Sequence, residues 1–125
     1  MALRLLIADD CRDVVEALSL LLQHEGFEVQ VAYDGQQAIK AALAFHPDVF
    51  VLDLGMPGLD GFQVAKQLRA MPELEHSTFV ALTGHSEQAD LDDASKAQFD
   101  EYVLKPPNMS LLLAILSEAS QHAGM

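Results

Sequence analysis

Five short apolar runs recur along this chain, and each gives way to polar or helix-forming residues within one or two positions. They are "LRLLIA" (3–8), "FEVQVA" (27–32), "DVFVLD" (48–53), "TFVALT" (78–83) and "EYVLK" (101–105). Runs this brief read as strands, and the segments between them place apolar residues at helical spacing. A helix is expected from about Arg12, with Val14, Leu18, Leu21 and Leu22 on one face and Gly26 as its stop. Asp34 caps a second, with Gln37 at the capping-box position and a stripe of Ala38, Ile39, Ala42 and Phe45 ended by Pro47. Asp60 and Gln63 repeat that spacing at the head of a third, which runs through Phe62, Ala65 and Leu68 to about Arg69. Ser86–Gln98 reads as a weakly apolar fourth helix with Leu91 its only large hydrophobe, and Asn108 caps a last one from about Met109 to Gln121. Strands alternating with helices in this way build an α/β domain whose parallel sheet is covered on both faces.

With 125 residues, half of them apolar, the chain is long enough for one domain with a real core, and no output domain is expected within residues 1–125. No apolar run is long enough to span a bilayer, and Arg4 and Asp9 bracket only a short apolar piece, unlike a signal peptide. The expected location is therefore cytoplasmic, with no membrane partner. Nineteen acidic residues against seven basic ones give a formal charge of −12. Such a surface repels phosphate backbones, so no nucleic-acid partner is expected, whereas a metal cation or a basic protein surface suits it. The single cysteine, Cys11, excludes an internal disulfide and a Cys-rich zinc site.

A doubly wound sheet keeps its working site beyond the carboxyl ends of its strands. The first strand ends in Asp9 and Asp10, the third in Asp53, the fourth in Thr83 and the fifth in Lys105, while the second offers nothing ionic. In the order 2-1-3-4-5 the first and third strands are neighbours about 5 Å apart. Three converging carboxylates do not all stay ionised unaided, so either a proton is shared or a cation is bound. A hard divalent ion fits best, and magnesium answers that description. The set lacks a nucleotide cradle but suits a phosphoryl group held against a carboxylate, with Asp53 as nucleophile, Lys105 as mobile positive charge and Thr83 as hydroxyl donor. Taken one at a time the same residues are ordinary. Asp9 and Asp10 serve as helix caps, Asp60 as another, Thr83 as a strand end and Lys105 as a solvated cation. The five histidines are scattered without ligand spacing and read as surface residues.

The pieces "LLIADD", "VLDLGMPGLDG", "ALTG" and "YVLKP" occur in this order, each at a strand end. Over essentially its whole length the chain resembles the receiver domain of two-component response regulators. Its phrasing is closest to receivers of hybrid sensor kinases or single-domain regulators. The resemblance implies a (βα)5 flavodoxin-like fold and a phosphorelay switch. It implies that Asp53 accepts phosphate from a phosphohistidine on a sensor histidine kinase or a histidine phosphotransfer protein. It also implies that magnesium is bound by Asp10, Asp53 and the backbone carbonyl of Gly55, with Asp9 acting through water. Thr83 and Lys105 would contact the phosphoryl oxygens, Tyr102 would turn inward behind Thr83, and the bond before Pro106 would be cis. His85 would bear on the dephosphorylation rate. The downstream target is not named by the resemblance, and the surface expected to change surrounds the fourth helix, the fifth strand and the last helix. Gln98 and Pro107 depart from the family pattern without touching the chemistry.

Three other readings compete. A hydrolase is suggested by "GHSEQ" (84–88), but the closing glycine of a nucleophile elbow is replaced by Gln88. An aspartyl-phosphate phosphatase needs a second acid two residues after the nucleophile, where this chain has Gly55. A phosphorylation-independent pseudo-receiver would show gaps in the acid, threonine and lysine set, and none is missing. The chain would modify itself rather than turn over a substrate, so it is not expected to be an enzyme in the usual sense. In "MSLLLAIL", Leu111 and Ile115 exceed what one buried face requires and are expected to form a partner or weak homodimer surface.

Overall fold

Burial does not alternate along β3 (Val49–Asp53), because every one of its residues is buried. A strand is buried this way only where both faces of its sheet are covered. The computed structural model describes residues 3–84 and 99–123. Around β3 stand β1 (Arg4–Ala8), β2 (Glu28–Ala32), β4 (Thr78–Thr83) and β5 (Glu101–Leu104), all parallel, in the order β2-β1-β3-β4-β5. The described helices are α1 (Arg12–His24), α2 (Gly35–Phe45), α3 (Gly61–Arg69) and α4 (Met109–Ala123), with a 3-10 turn at Pro72–Leu74. The doubly wound sheet and its strand order are as expected. The helix expected over 86–98, with Leu91 and Gln98, and His85 in the "GHSEQ" stretch lie outside the described residues.

Two apolar layers sandwich the sheet. On one face Leu6, Phe50, Leu52 and Phe79 pack with Val64, Ala65 and Leu68 of α3 and the small Ala38 and Ala42 of α2. Phe50 and Phe79 stack there with ring centroids 4.6 Å apart. On the other face Leu5, Ile7, Val51 and Leu82 meet α1 and α4.

The helix faces correct two expectations. In α1 the buried stripe is Val15, Leu18, Ser19 and Leu22, while Val14 and Leu21 are exposed. The runs "VV" and "LLL" offer several stripes of the same period, and the docked one is displaced by one residue at Val15. In α4, Ile115 is buried with Leu112, Leu116 and Ala119, an i, i+3, i+4, i+7 stripe, so it does not belong to a free surface. Leu111 remains 47% exposed.

The local signals at helix ends act as the sequence suggests. Asp60 and Gln63 form a full capping box, with the Gln63 amide donating to Asp60 at 3.0 Å and the Asp60 amide to Gln63 at 2.9 Å. Asp34 accepts from the Gln37 amide at 2.8 Å, but the Gln37 side chain reaches one residue further back, to the Tyr33 amide. Asn108 accepts from the Leu111 amide at 3.0 Å. The chain leaves α2 through His46 at φ 51°, a left-handed C-cap, since the residue before Pro47 is kept out of the α region.

One glycine determines how closely α3 approaches the strand ends. A Cβ on Gly61 would lie 2.7 Å from the carbonyl oxygen of Asp53 and 3.1 Å from the Cα of Leu54, both backbone atoms that cannot swing aside. Gly58, at φ +77°, makes the turn that returns the chain to this contact. Gly61→Ala should therefore destabilise the fold by about 1–3 kcal/mol despite alanine's better helix propensity. Chemical denaturation of the two proteins checks this, and an alanine variant as stable as the parent would remove the proposed contact.

Candidate functional site

Parallel pairing brings the strand ends level. The Asp9 amide donates to the Ala32 carbonyl at 3.1 Å, the Leu54 amide to Leu82 at 3.0 Å, and the Lys105 amide to Thr83 at 2.9 Å. Asp9, Asp53, Thr83 and Lys105 are thus placed along one edge of the sheet by backbone bonds before any side-chain attraction is counted. Asp9, Asp53 and Thr83 are buried, whereas Asp10 is exposed.

Lys105 holds the group together. Its Nζ lies 2.8 Å from Asp53 Oδ1, to which it donates a hydrogen bond, and 3.2 Å from Asp9 Oδ2. The second contact is a charge contact without hydrogen-bond alignment, since Asp9 Oδ2 is buried and accepts no hydrogen bond. Burial pulls the Lys105 ammonium toward its neutral form, but the hydrogen bond and charge of Asp53, followed by Asp9, outweigh it and raise its pKa. The remaining acceptors face backbone: Asp53 Oδ1 also accepts from the Gly55 amide, and Asp9 Oδ1 from the Cys11 amide, each at 3.1 Å. Asp9 is therefore not the cap of α1, whose N-cap is Cys11 without a side-chain bond.

Asp9 carries the electrostatic cost of the arrangement. Burial raises its pKa to about 6; the Cys11 amide pulls the other way, the charge of Asp53 adds to the rise, and Lys105 opposes it. One carboxylate oxygen each from Asp9, Asp10 and Asp53 lie within 4.8 Å of one another. An all-oxygen donor set with one buried oxygen left without a hydrogen bond is chemically suited to a hard divalent cation.

Thr83 Oγ1 donates to the Gly84 carbonyl at 3.0 Å. Tyr102 pairs in register with Ala81 of β4, so by the two-residue period of a strand it lies on the sheet face that carries Thr83. Its ring meets Phe99 edge-on at 5.7 Å, and burial raises the pKa of its hydroxyl. The Lys105–Pro106 peptide bond is cis. The second strand ends in nothing ionic, yet Arg12 sits 4.0 Å above the ring of Tyr33 just beyond that strand. The only signal for it was the adjacency of β1 and β2 combined with the place of Arg12 two residues after Asp10. A surface groove of about 700 Å³, lined in part by Asp48, Arg69, His76 and Asp100, opens at the opposite end of the strands. The carboxylate cluster lies instead on the shelf formed by the carboxyl ends of the strands.

Known proteins resemble this chain in sequence and in fold. The chain is 36% identical over 106 residues to the DNA-binding response regulator MtrA of Mycolicibacterium smegmatis, a match covering 85% of this chain and 45% of that protein. It is 38% identical over 111 residues to the transcriptional regulatory protein PrrA of Mycobacterium bovis, covering 89% and 47%. The chain thus spans about half the length of the curated relatives it matches. Because those relatives include DNA-binding regulators, the expected exclusion of nucleic acid is not supported by them; the charge argument speaks only for these 125 residues. Among solved structures, a CheY-like response regulator receiver domain from Methylobacillus flagellatus superposes with a TM-score of 0.86 at 31% identity, covering 95% of this chain and 99% of that one. The chemotaxis response regulator CheY4 of Vibrio cholerae does so with a TM-score of 0.84 at 27% identity, covering 95% and 99%. No described helix is long and apolar enough to cross a membrane. The profile described as "Response regulator receiver domain" matches residues 5–117, a span that runs from β1 into α4 and contains every member of the acid, threonine and lysine set; the chain belongs to the response regulator receiver domain family.

Proposed function

We propose that residues 1–125 act as one receiver unit, a phosphorylation-dependent switch in which Asp53 takes a phosphoryl group from a phosphohistidine on a sensor histidine kinase or phosphotransfer protein. The observation that carries this reading is the Lys105 ammonium set between Asp53 and Asp9 at the carboxyl ends of the strands. Lys105 and the Gly55 amide both engage Asp53 Oδ1, so we assign Oδ2 as the attacking oxygen. That oxygen would bond to phosphorus while the phosphorus–nitrogen bond of the donor breaks. Its electron pair would go to the imidazole, which takes a proton from solvent, leaving an acyl phosphate on Asp53. Lys105 would stabilise the charge on the phosphoryl oxygens, and Thr83 would exchange the Gly84 carbonyl for one of them. Magnesium would be held by Asp10, Asp53 and the Gly55 carbonyl, with Asp9 through water, a reading supported by the convergence of the three carboxylates, and when bound it would neutralise charge on the transferring group. The chain would act once on itself per phosphorylation event, as a switch and not a turnover enzyme.

Movement of Thr83 toward the phosphoryl group would vacate space on the sheet face where Tyr102 lies, and Tyr102 turning inward would alter the surface around β5 and its flanking helices. Phosphorylation biases such an equilibrium only by its differential stabilisation of the two states. A separate partner surface rests on the exposed Leu111 of α4. Sedimentation velocity should show weak self-association of the parent that Leu111→Lys removes; a parent that stays monomeric at high concentration refutes it.

Incubation with magnesium and acetyl phosphate should add one hydroxylamine-sensitive phosphoryl group to the parent and none to Asp53→Asn. Equal labelling of both proteins overturns the assignment, and no labelling of the parent favours a phosphorylation-independent module.

The raised pKa of Asp9 has a stability consequence in metal-free protein. For an acid whose folded pKa lies above its unfolded value, folding disfavours the ionised form. The penalty is absent below the ordinary aspartate value of 3.8 and complete above about 6. In the presence of chelator, Asp9→Asn should be more stable than the parent at neutral pH, by on the order of 2–3 kcal/mol. The difference should shrink as pH falls through 6 and vanish below 4. Denaturation curves across that range test it, and a difference independent of pH contradicts it.

A further inference from the structure

Arg12 stands apart from the other arginines among the described residues. Arg4 pairs with Glu28 at 3.4 Å and Arg69 with Asp100 at 2.9 Å, whereas Arg12 has no carboxylate within ion-pair distance among the described residues. In a chain with nineteen acidic residues this calls for a cause, and Glu16, one helical turn further along α1, supplies it. Glu16 accepts the hydroxyl of Tyr33 at 3.2 Å, and the guanidinium of Arg12 lies over the Tyr33 ring, 4.0 Å from its centroid. The ring is fixed at its backbone as well, where the Tyr33 amide donates to Gln37 at 3.0 Å. Stacking on an aromatic face holds a guanidinium in place without neutralising it.

The place where it is held is specific. Tyr33 directly follows Ala32, whose carbonyl accepts the amide of Asp9, and Arg12 comes two residues after Asp10. The guanidinium therefore stands on the β2 side of the carboxylate cluster, while Lys105 enters from the β5 side. The other described cations do not share this edge: Arg4 opens β1, Lys66 and Arg69 lie in the last turn of α3, and Lys40 is in the middle of α2. We propose that Arg12, stacked on Tyr33, is a rim cation that draws the anionic phosphoryl donor onto Asp53, a positioning residue for phosphoryl transfer. The inference rests on the phosphoacceptor reading of Asp53. The donor group is anionic and the chain carries −12, so approach to the shelf is opposed by long-range repulsion that a fixed cation at its rim relieves.

An electrostatic role has a signature that a packing role lacks, because a donor anion and a metal cation respond to Arg12 with opposite sign. At low ionic strength, Arg12→Gln should slow the second-order phosphorylation of Asp53 by acetyl phosphate about two- to fourfold, the size of one unit charge acting on a dianion across about 10 Å of water. The same variant should bind magnesium about twofold more tightly, read by calorimetry with magnesium alone. Arg12→Lys should keep the parent rate, and Tyr33→Leu, which frees the guanidinium, should fall between parent and Arg12→Gln. At about 1 M salt, where screening reaches only ~3 Å, all four proteins should react alike. A rate for Arg12→Gln equal to the parent at low salt overturns the proposal. So does a slower rate that persists at high salt, or a loss of magnesium affinity alongside the loss of rate. Failure of the parent to be phosphorylated at all removes the phosphoacceptor reading and this inference together. A labelled parent with an unaffected Arg12→Gln removes only the role of Arg12.

Discussion

A single ammonium group between two buried carboxylates sets the terms for the rest of the structure. Asp53 and Asp9 are almost wholly removed from water, and either alone would be strongly disfavoured in its ionised form at this depth. Lys105 donates a short hydrogen bond to Asp53, whereas it meets the second oxygen of Asp9 without alignment. The difference between the two acids follows from geometry. The carboxylate that takes the hydrogen bond is the candidate acceptor, and Asp9, with one buried oxygen left without a hydrogen bond, has its pKa raised by burial.

The sheet supplies that geometry because the residues involved come from strands far apart in sequence. Asp53 and Lys105 are separated by 52 positions, yet the ladders β3 to β4 and β4 to β5 fix their relative height through backbone bonds alone. The apolar runs that make those strands are therefore part of the site's chemistry. Phe50 and Phe79, stacked on one face, and Val51 and Leu82, packed on the other, hold the ladder whose end carries the reactive groups. Gly61 completes the scaffold by letting the first turn of α3 rest on the Asp53 carbonyl.

The parts of this arrangement that were legible in the sequence are those with a local cause. Strand runs, capping residues and strand-end polar groups each act within a few residues, and Asp53, Thr83 and Lys105 stand where strand endings and the winding order put them. What escaped was decided by choices among equivalent local patterns. The leucine-rich run of α1 and the apolar run of α4 each satisfy more than one helical stripe, and docking against the sheet selected Val15 over Val14 and buried Ile115. The contact of Arg12 with Tyr33 joins the head of one helix to the end of a strand that is its neighbour only in space. Periodicity within a segment does not reveal such a pair.

The position of β5 at the edge of the sheet divides the reactive groups into two mechanical classes. Asp53 belongs to a strand hydrogen-bonded on both sides, buried throughout and braced from above by α3. Lys105 follows a strand of four residues that pairs with β4 alone. Shifting Asp53 would disrupt two ladders and a close backbone contact, while shifting the Tyr102 ring and the ammonium just beyond its strand would disrupt one ladder. A change in charge at Asp53, as the proposed phosphorylation would make, therefore meets less resistance from strand pairing at β5 than at the doubly paired β3.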